Sequence, residues 1–155
     1  MRVRLAPGQA RKLVAALARA GAREIGGQLF GEQLAPSDFL VTELTIQARS
    51  GTAARFVVDV LQAGRDAIKF FEQTGRQYKR FNYIGEWHSH PSFAVVPSTT
   101  DLATMRTLVK DPRFGGSFAV LAIVRFDAGA LATGAWVFDP RGTERNITFE
   151  IDLDH

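Results

Sequence analysis

Cysteine is absent from this 155-residue sequence. That excludes disulfides, thiolate metal sites and cysteine nucleophiles together. Long apolar runs are also missing: none approaches the ~20 residues needed to cross a bilayer, so no membrane partner is expected. The first residues, Met1 to Leu5, lead into a mixed Pro/Gly/Ala pattern rather than the apolar block of a secretory signal. A cytoplasmic setting is the expectation. There is no repeat, no linker and no low-complexity tract. A dense basic stripe is lacking too. Net charge is only +3, and the one local cluster is Arg76, Lys79 and Arg80, which suits an exposed helix end or an acidic partner. Nucleic acid is therefore disfavoured as a partner.

What is present reads as an ordinary globular chain, with 46% hydrophobic and 23% charged residues. The length suits one domain, spanning 1–155. Pro7 opens a helix with Ala10, Leu13, Val14 and Leu17 on one face, and Gly21 stops it. A short strand follows over 26–31, a turn at Pro36 to Asp38, and a strand in which Leu40, Thr42, Leu44 and Ile46 alternate with polar residues. A further strand is expected over 53–58 and a second helix from Asp59 to Gly75. Residues 82–87 read as a strand, and a third helix begins near Ser98 with Leu102, Met105, Leu108 and Val109 inward. Phe118 to Val124 is almost wholly apolar, the pattern of a strand covered on both faces. Asp127 to Gly129 turns the chain into a strand ending near Phe138. Asp139 to Gly142 turns it again before a last strand carrying Ile147, Phe149 and Ile151. The class is α/β: a mixed, mostly antiparallel sheet flanked by about three helices.

Only three histidines exist, and two of them stand as His88-Ser89-His90 at the end of a strand. Residues i and i+2 of an extended chain share a side, so both imidazoles can reach one ion, while Ser89 points away. Alone, this spacing is weak. Asp101 follows in Ser98-Thr99-Thr100-Asp101, and two neutral imidazoles with one carboxylate suit Zn²⁺ with a position left for water. The same Ser-x-x-Asp also reads as a helix-start capping box, and the two readings are compatible. Glu24, just before Gly26-Gly27, offers a carboxylate able to move the protons of such a water. Trp87, Phe93 and Tyr83 are candidates to line a groove, Trp87 more naturally as core.

Together these residues resemble the JAB/MPN (JAMM) zinc metalloprotease family. Its pattern is a glutamate, then His-x-His-Pro, then Ser-x-x-Asp. Here these are Glu24, the run from His88 to Pro91, and the run from Ser98 to Asp101. The stretch from Gly85 to Pro91 looks most like the prokaryotic, deubiquitinase-like branch. The resemblance implies the JAB/MPN (cytidine-deaminase-like) fold and a zinc ion on His88, His90 and Asp101. It also implies hydrolysis after the C-terminus of a ubiquitin-like protein, as precursor processing or deconjugation. In that role Glu24 takes the proton of the attacking water and returns it to the leaving amine, and Ser98 donates to the oxyanion. The substrate tail would lie alongside a strand, and E1- and E2-like proteins of a bacterial conjugation or antiphage system would be its companions. Hydrolysis of a sulfur-carrier or small amide substrate, and a non-catalytic scaffold, are the competing roles.

Overall fold

The computed structural model describes residues 1–48 and 81–151. The expected strand over 53–58, the expected helix from Asp59 to Gly75 and the cluster Arg76, Lys79 and Arg80 lie outside the described residues. Among the described ones there are two helices, α1 (Pro7–Ala20) and α2 (Thr99–Lys110). Nine strands accompany them: β1 (Arg2–Leu5), β2 (Ile25–Ala35), β3 (Asp38–Leu44), β4 (Gln47–Ala48), β5 (Phe81–Ser89), β6 (Ala119–Asp127), β7 (Ala130–Phe138), β8 (Glu144–Asn146) and β9 (Thr148–Ile151). They form one mixed sheet in the order β8-β7-β6-β5-β2-β3-β1-β9, with β4 paired to the start of β2. The β1–β3, β1–β9 and β5–β6 pairs are parallel and the others antiparallel. No described helix is long and apolar enough to cross a membrane.

The sheet's two ends are joined by consecutive strands. β8 pairs with β7 at one end, and after Ile147 the chain continues as β9 on β1 at the other. Both terminal edges are thereby drawn together, leaving less open edge for a foreign strand. β1 is a strand the sequence reading passed over. It is four residues long, with only Val3 and Leu5 facing the core between Arg2 and Arg4, too short for alternation to stand out. Arg2 pairs with Glu150 and Arg4 with Asp38, so its polar side is tied to both neighbouring strands.

Two cores lie on opposite faces of the sheet. α1 starts at Pro7, ends at Gly21 (φ 59°), and buries Ala10, Leu13, Ala16, Leu17 and Ala20 against one face. Met105, Leu108 and Val109 of α2 pack on the other. β6 serves both. Val120, Ala122 and Val124 join the α1 core, and Ala119, Leu121 and Ile123 join the α2 core, as its unbroken apolar run implies.

The phase of β3 differs from the sequence reading. Its inward residues are Phe39 and Val41, then Leu44. Thr42 is an extra residue between Glu43, opposite Phe30, and Val41, opposite Gly31, so the alternation slips before Leu44. Ile46 falls beyond the strand and is exposed. Leu40 and Thr42 are half-buried instead.

The β6–β7 hairpin closes through two residues, Ala128 (φ 51°) and Gly129 (φ 78°), with Asp127 paired to Ala130. Two consecutive positive φ values are the demand of a type I′ turn, which favours Asn-Gly. A left-handed conformation costs an L-residue such as alanine roughly 1–2 kcal/mol, and asparagine tolerates it better. Ala128→Asn is expected to stabilise the fold by about 0.5–1 kcal/mol. Urea denaturation followed by circular dichroism measures this, and an unchanged or lower midpoint contradicts it.

Candidate metal centre

The site is built where β5 leaves the sheet. His88 is held between Gly26 of β2 and Ile123 of β6, so its backbone is paired on both sides. Strand alternation turns Trp87 and Ser89 toward the opposite face from His88. Trp87 is 1% exposed in the α1 core, and its indole N–H donates to the Thr45 carbonyl at 2.9 Å. Ser89 is equally structural: its hydroxyl accepts from the Ile25 N–H at 3.0 Å and faces the Ile25 carbonyl at 3.3 Å. His90 lies one residue past β5, with its N–H donating to the Val124 carbonyl at 2.9 Å.

Asp101 arrives from the start of α2. Ser98 caps that helix: its hydroxyl accepts from the Asp101 N–H at 3.0 Å, and its own N–H donates to Asp101 Oδ2 at 2.9 Å. The capping box is therefore real, and it aims the carboxylate. Asp101 Oδ2 lies 3.1 Å from His88 Nε2 and 3.5 Å from His90 Nε2, and the two ring nitrogens are 3.2 Å apart. All three side chains are buried. Burial raises the Asp101 carboxyl, but the hydrogen bond and charge of His88, with the Ser98 N–H and hydroxyl, outweigh it. The carboxyl is held well below its usual range. The partial positive charge at the α2 N-terminus acts in the same direction.

The donor set fits a metal ion. Two imidazole nitrogens and a carboxylate oxygen, all within 4.8 Å of one another, converge from two elements into a buried point. His90 Nδ1 lies 2.9 Å from the Ala94 carbonyl, which can only accept, so Nδ1 carries a proton and Nε2 is the atom turned toward His88 and Asp101. This is the pattern of a metal-ligating histidine oriented by a second hydrogen bond.

The other candidates differ in where they lie. Glu24 is outside the buried trio: it is exposed, directly before Ile25, whose peptide is bonded to Ser89 beside the two histidines. Ser98 is exposed at the helix start. Phe93 is 50% exposed, with its ring 4.7 Å from the His90 ring, and so stands at the mouth. Tyr83 does not. It is partly buried and donates to Glu86 at 2.6 Å, and burial with the Glu86 charge pushes its phenol well up, keeping it a donor. Sequence reasoning missed the Ala94 carbonyl, a backbone group with no residue signature. It also passed over Glu86, a buried acid quoted only as part of a motif.

The family of prokaryotic homologues of the JAB domain matches residues 7–138. The chain belongs to that family. No curated protein matches it. Among solved structures it is similar to a protein from Desulfitobacterium hafniense, at 17% identity and a TM-score of 0.59, covering 99% of this chain and 96% of that one. A JAB1/MPN domain protein from Archaeoglobus fulgidus is also similar, at 17% identity and a TM-score of 0.48, covering 96% and 98%. The family match gives the JAB/MPN α/β fold, with the mixed sheet expected from the sequence. A buried His-His-Asp set in a JAB domain is consistent with a metallohydrolase of JAMM type.

Metal content separates ligand from scaffold here. His88→Ala and Asp101→Ala are expected to lose bound zinc, measured by mass spectrometry of the purified proteins. Ser89→Ala is expected to keep it while losing about 1–3 kcal/mol of stability, because the Ile25 peptide loses its buried partner. Stoichiometric zinc in both ligand variants contradicts the assignment.

Proposed function

We propose that this JAB-family chain is a zinc-dependent isopeptidase or peptidase that cleaves after the C-terminus of a ubiquitin-like protein, in precursors or conjugates. The observation that carries the reading is the buried convergence of His88, His90 and Asp101 next to the β2 start that bears Glu24. A zinc ion held by those three residues supplies Lewis acidity, lowering the pKa of water toward ~7 and polarising a carbonyl.

The chain's own groups then divide the work. Glu24 is exposed and free of the buried trio, so its carboxylate can take a proton from the attacking water and deliver it to the departing amine. The Ser98 hydroxyl accepts from the Asp101 N–H, which leaves its single proton to donate to the substrate oxygen as that oxygen gains charge. Such a donor is commonly worth about 3 kcal/mol of barrier. Asp101 would serve as a metal ligand, with its carboxylate aimed by the Ser98 N–H, and takes no part in the proton transfers. Phe93 offers an apolar lip to the substrate chain beside the scissile bond. A scaffold role would need none of these groups, and the chain has all five.

Ubiquitin-like fusion proteins and short C-terminal amide peptides, offered side by side, test the substrate class. Cleavage of the fusions after the last residue of the ubiquitin-like part is expected, with slower turnover of the peptides. Equal rates on both would favour a small-amide hydrolase. Glu24→Ala is expected to keep zinc and fold while losing at least about 100-fold in kcat, the scale of a general acid–base group. Near-normal cleavage by that variant places the base elsewhere.

A further inference from the structure

The backbone between His90 and Ser98 lies over β6 and β7 on the face that carries the α2 core. Three contacts hold it down. The Ala94 carbonyl accepts from His90 Nδ1 at 2.9 Å. Arg125 of β6 donates through Nη1 to the Phe93 carbonyl at 3.3 Å. The Val95 carbonyl oxygen comes so close to Gly134 of β7 that a methyl group on Gly134 would sit 2.3 Å from it. No side chain can occupy position 134 while the loop stays where it is, since real contacts of that kind do not fall below about 3 Å. Gly134 lies opposite Ile123, which itself pairs with His88, so it is one strand removed from the strand that carries the histidines.

We propose that Gly134 and Arg125 are positioning residues for the metal centre, acting on His90 through the Ala94 carbonyl. The Val95 and Ala94 carbonyls belong to adjacent peptides, so lifting one displaces the other. A displaced Ala94 carbonyl releases the proton on Nδ1. The imidazole can then carry it on Nε2 instead, the nitrogen that faces Asp101 and His88, and the ring loses its fixed orientation. The inference rests on His90 being a metal ligand. It adds two residues, neither of them a ligand, that set how tightly the metal is held.

The test is zinc affinity by competition with a chromophoric chelator, together with imidazole nitrogen spectra of the zinc-free protein. Gly134→Ala is expected to weaken zinc binding about 10- to 100-fold, the range for loss of a hydrogen bond that orients a ligand. It should also shift His90 from the Nδ1–H form toward a mixture. The new methyl would also approach the Trp136 ring, at 2.9 Å. Trp136→Leu alone is expected to bind zinc like the parent, and Gly134→Ala with Trp136→Leu to stay weak, because the Val95 clash persists. If Gly134→Ala does not fold, Arg125→Met, which adds no clash, is expected to weaken zinc in the same direction. Parent-like affinity in Gly134→Ala or Arg125→Met overturns the proposal, as does recovery in the double variant or an unchanged His90 spectrum. A parent protein that binds no zinc overturns the metal reading as well, whereas a parent that binds while the variants match it overturns only this inference.

Discussion

A carboxylate buried at a helix start is the constraint around which this molecule is organised. Asp101 Oδ2 takes the Ser98 N–H and at the same time faces both imidazoles. An ionised carboxylate in such a place needs compensation, which the cap, the helix dipole and the histidines provide. Ser98 caps the start of α2, and His88 and His90 stand at the end of β5. A strand and a helix with no covalent reason to meet are thereby registered at one point. The remaining packing serves to keep that point still.

The scaffold supplies rigidity through β6. Buried on both faces, it joins the α1 core to the α2 core, holds His88 through its Ile123 pairing and accepts the His90 N–H at Val124. On the other side, Ser89 bolts the end of β5 to the first peptide of β2, directly after Glu24. The residue between the two histidines thus ties them to the strand that begins directly after Glu24. This explains why a polar Ser89 is buried at 2% exposure, where a small apolar residue would leave the Ile25 peptide unsatisfied.

Much of this was legible in the residues, for identifiable reasons. α1 was readable because Pro7 and Gly21 mark its ends, and β6 because six consecutive apolar residues leave no face for water. His88 and His90 could be paired because residues i and i+2 of a strand share a side, and Asp101 joined them through the Ser-x-x-Asp spacing and the family resemblance. What escaped depends on pairing at a distance. β1 becomes a strand only because β3 and β9 flank it, and the inward phase of β3 changes because Thr42 is an extra residue against β2. The loop contacts of Ala94, Arg125 and Gly134 join positions up to forty residues apart. No local pattern records them. The proposed isopeptide substrate is read from the family together with Glu24 and Ser98.

That centre can be examined without any substrate. X-ray absorption at the zinc edge, on protein loaded with one equivalent of the metal, reads the ligands directly. The account requires two imidazole nitrogens at about 2.0–2.1 Å with oxygen ligands completing a four-coordinate shell, and the imidazole signature lost in a His88→Ala, His90→Ala protein. A shell of oxygens alone, or an imidazole signature that survives removal of both histidines, would contradict it.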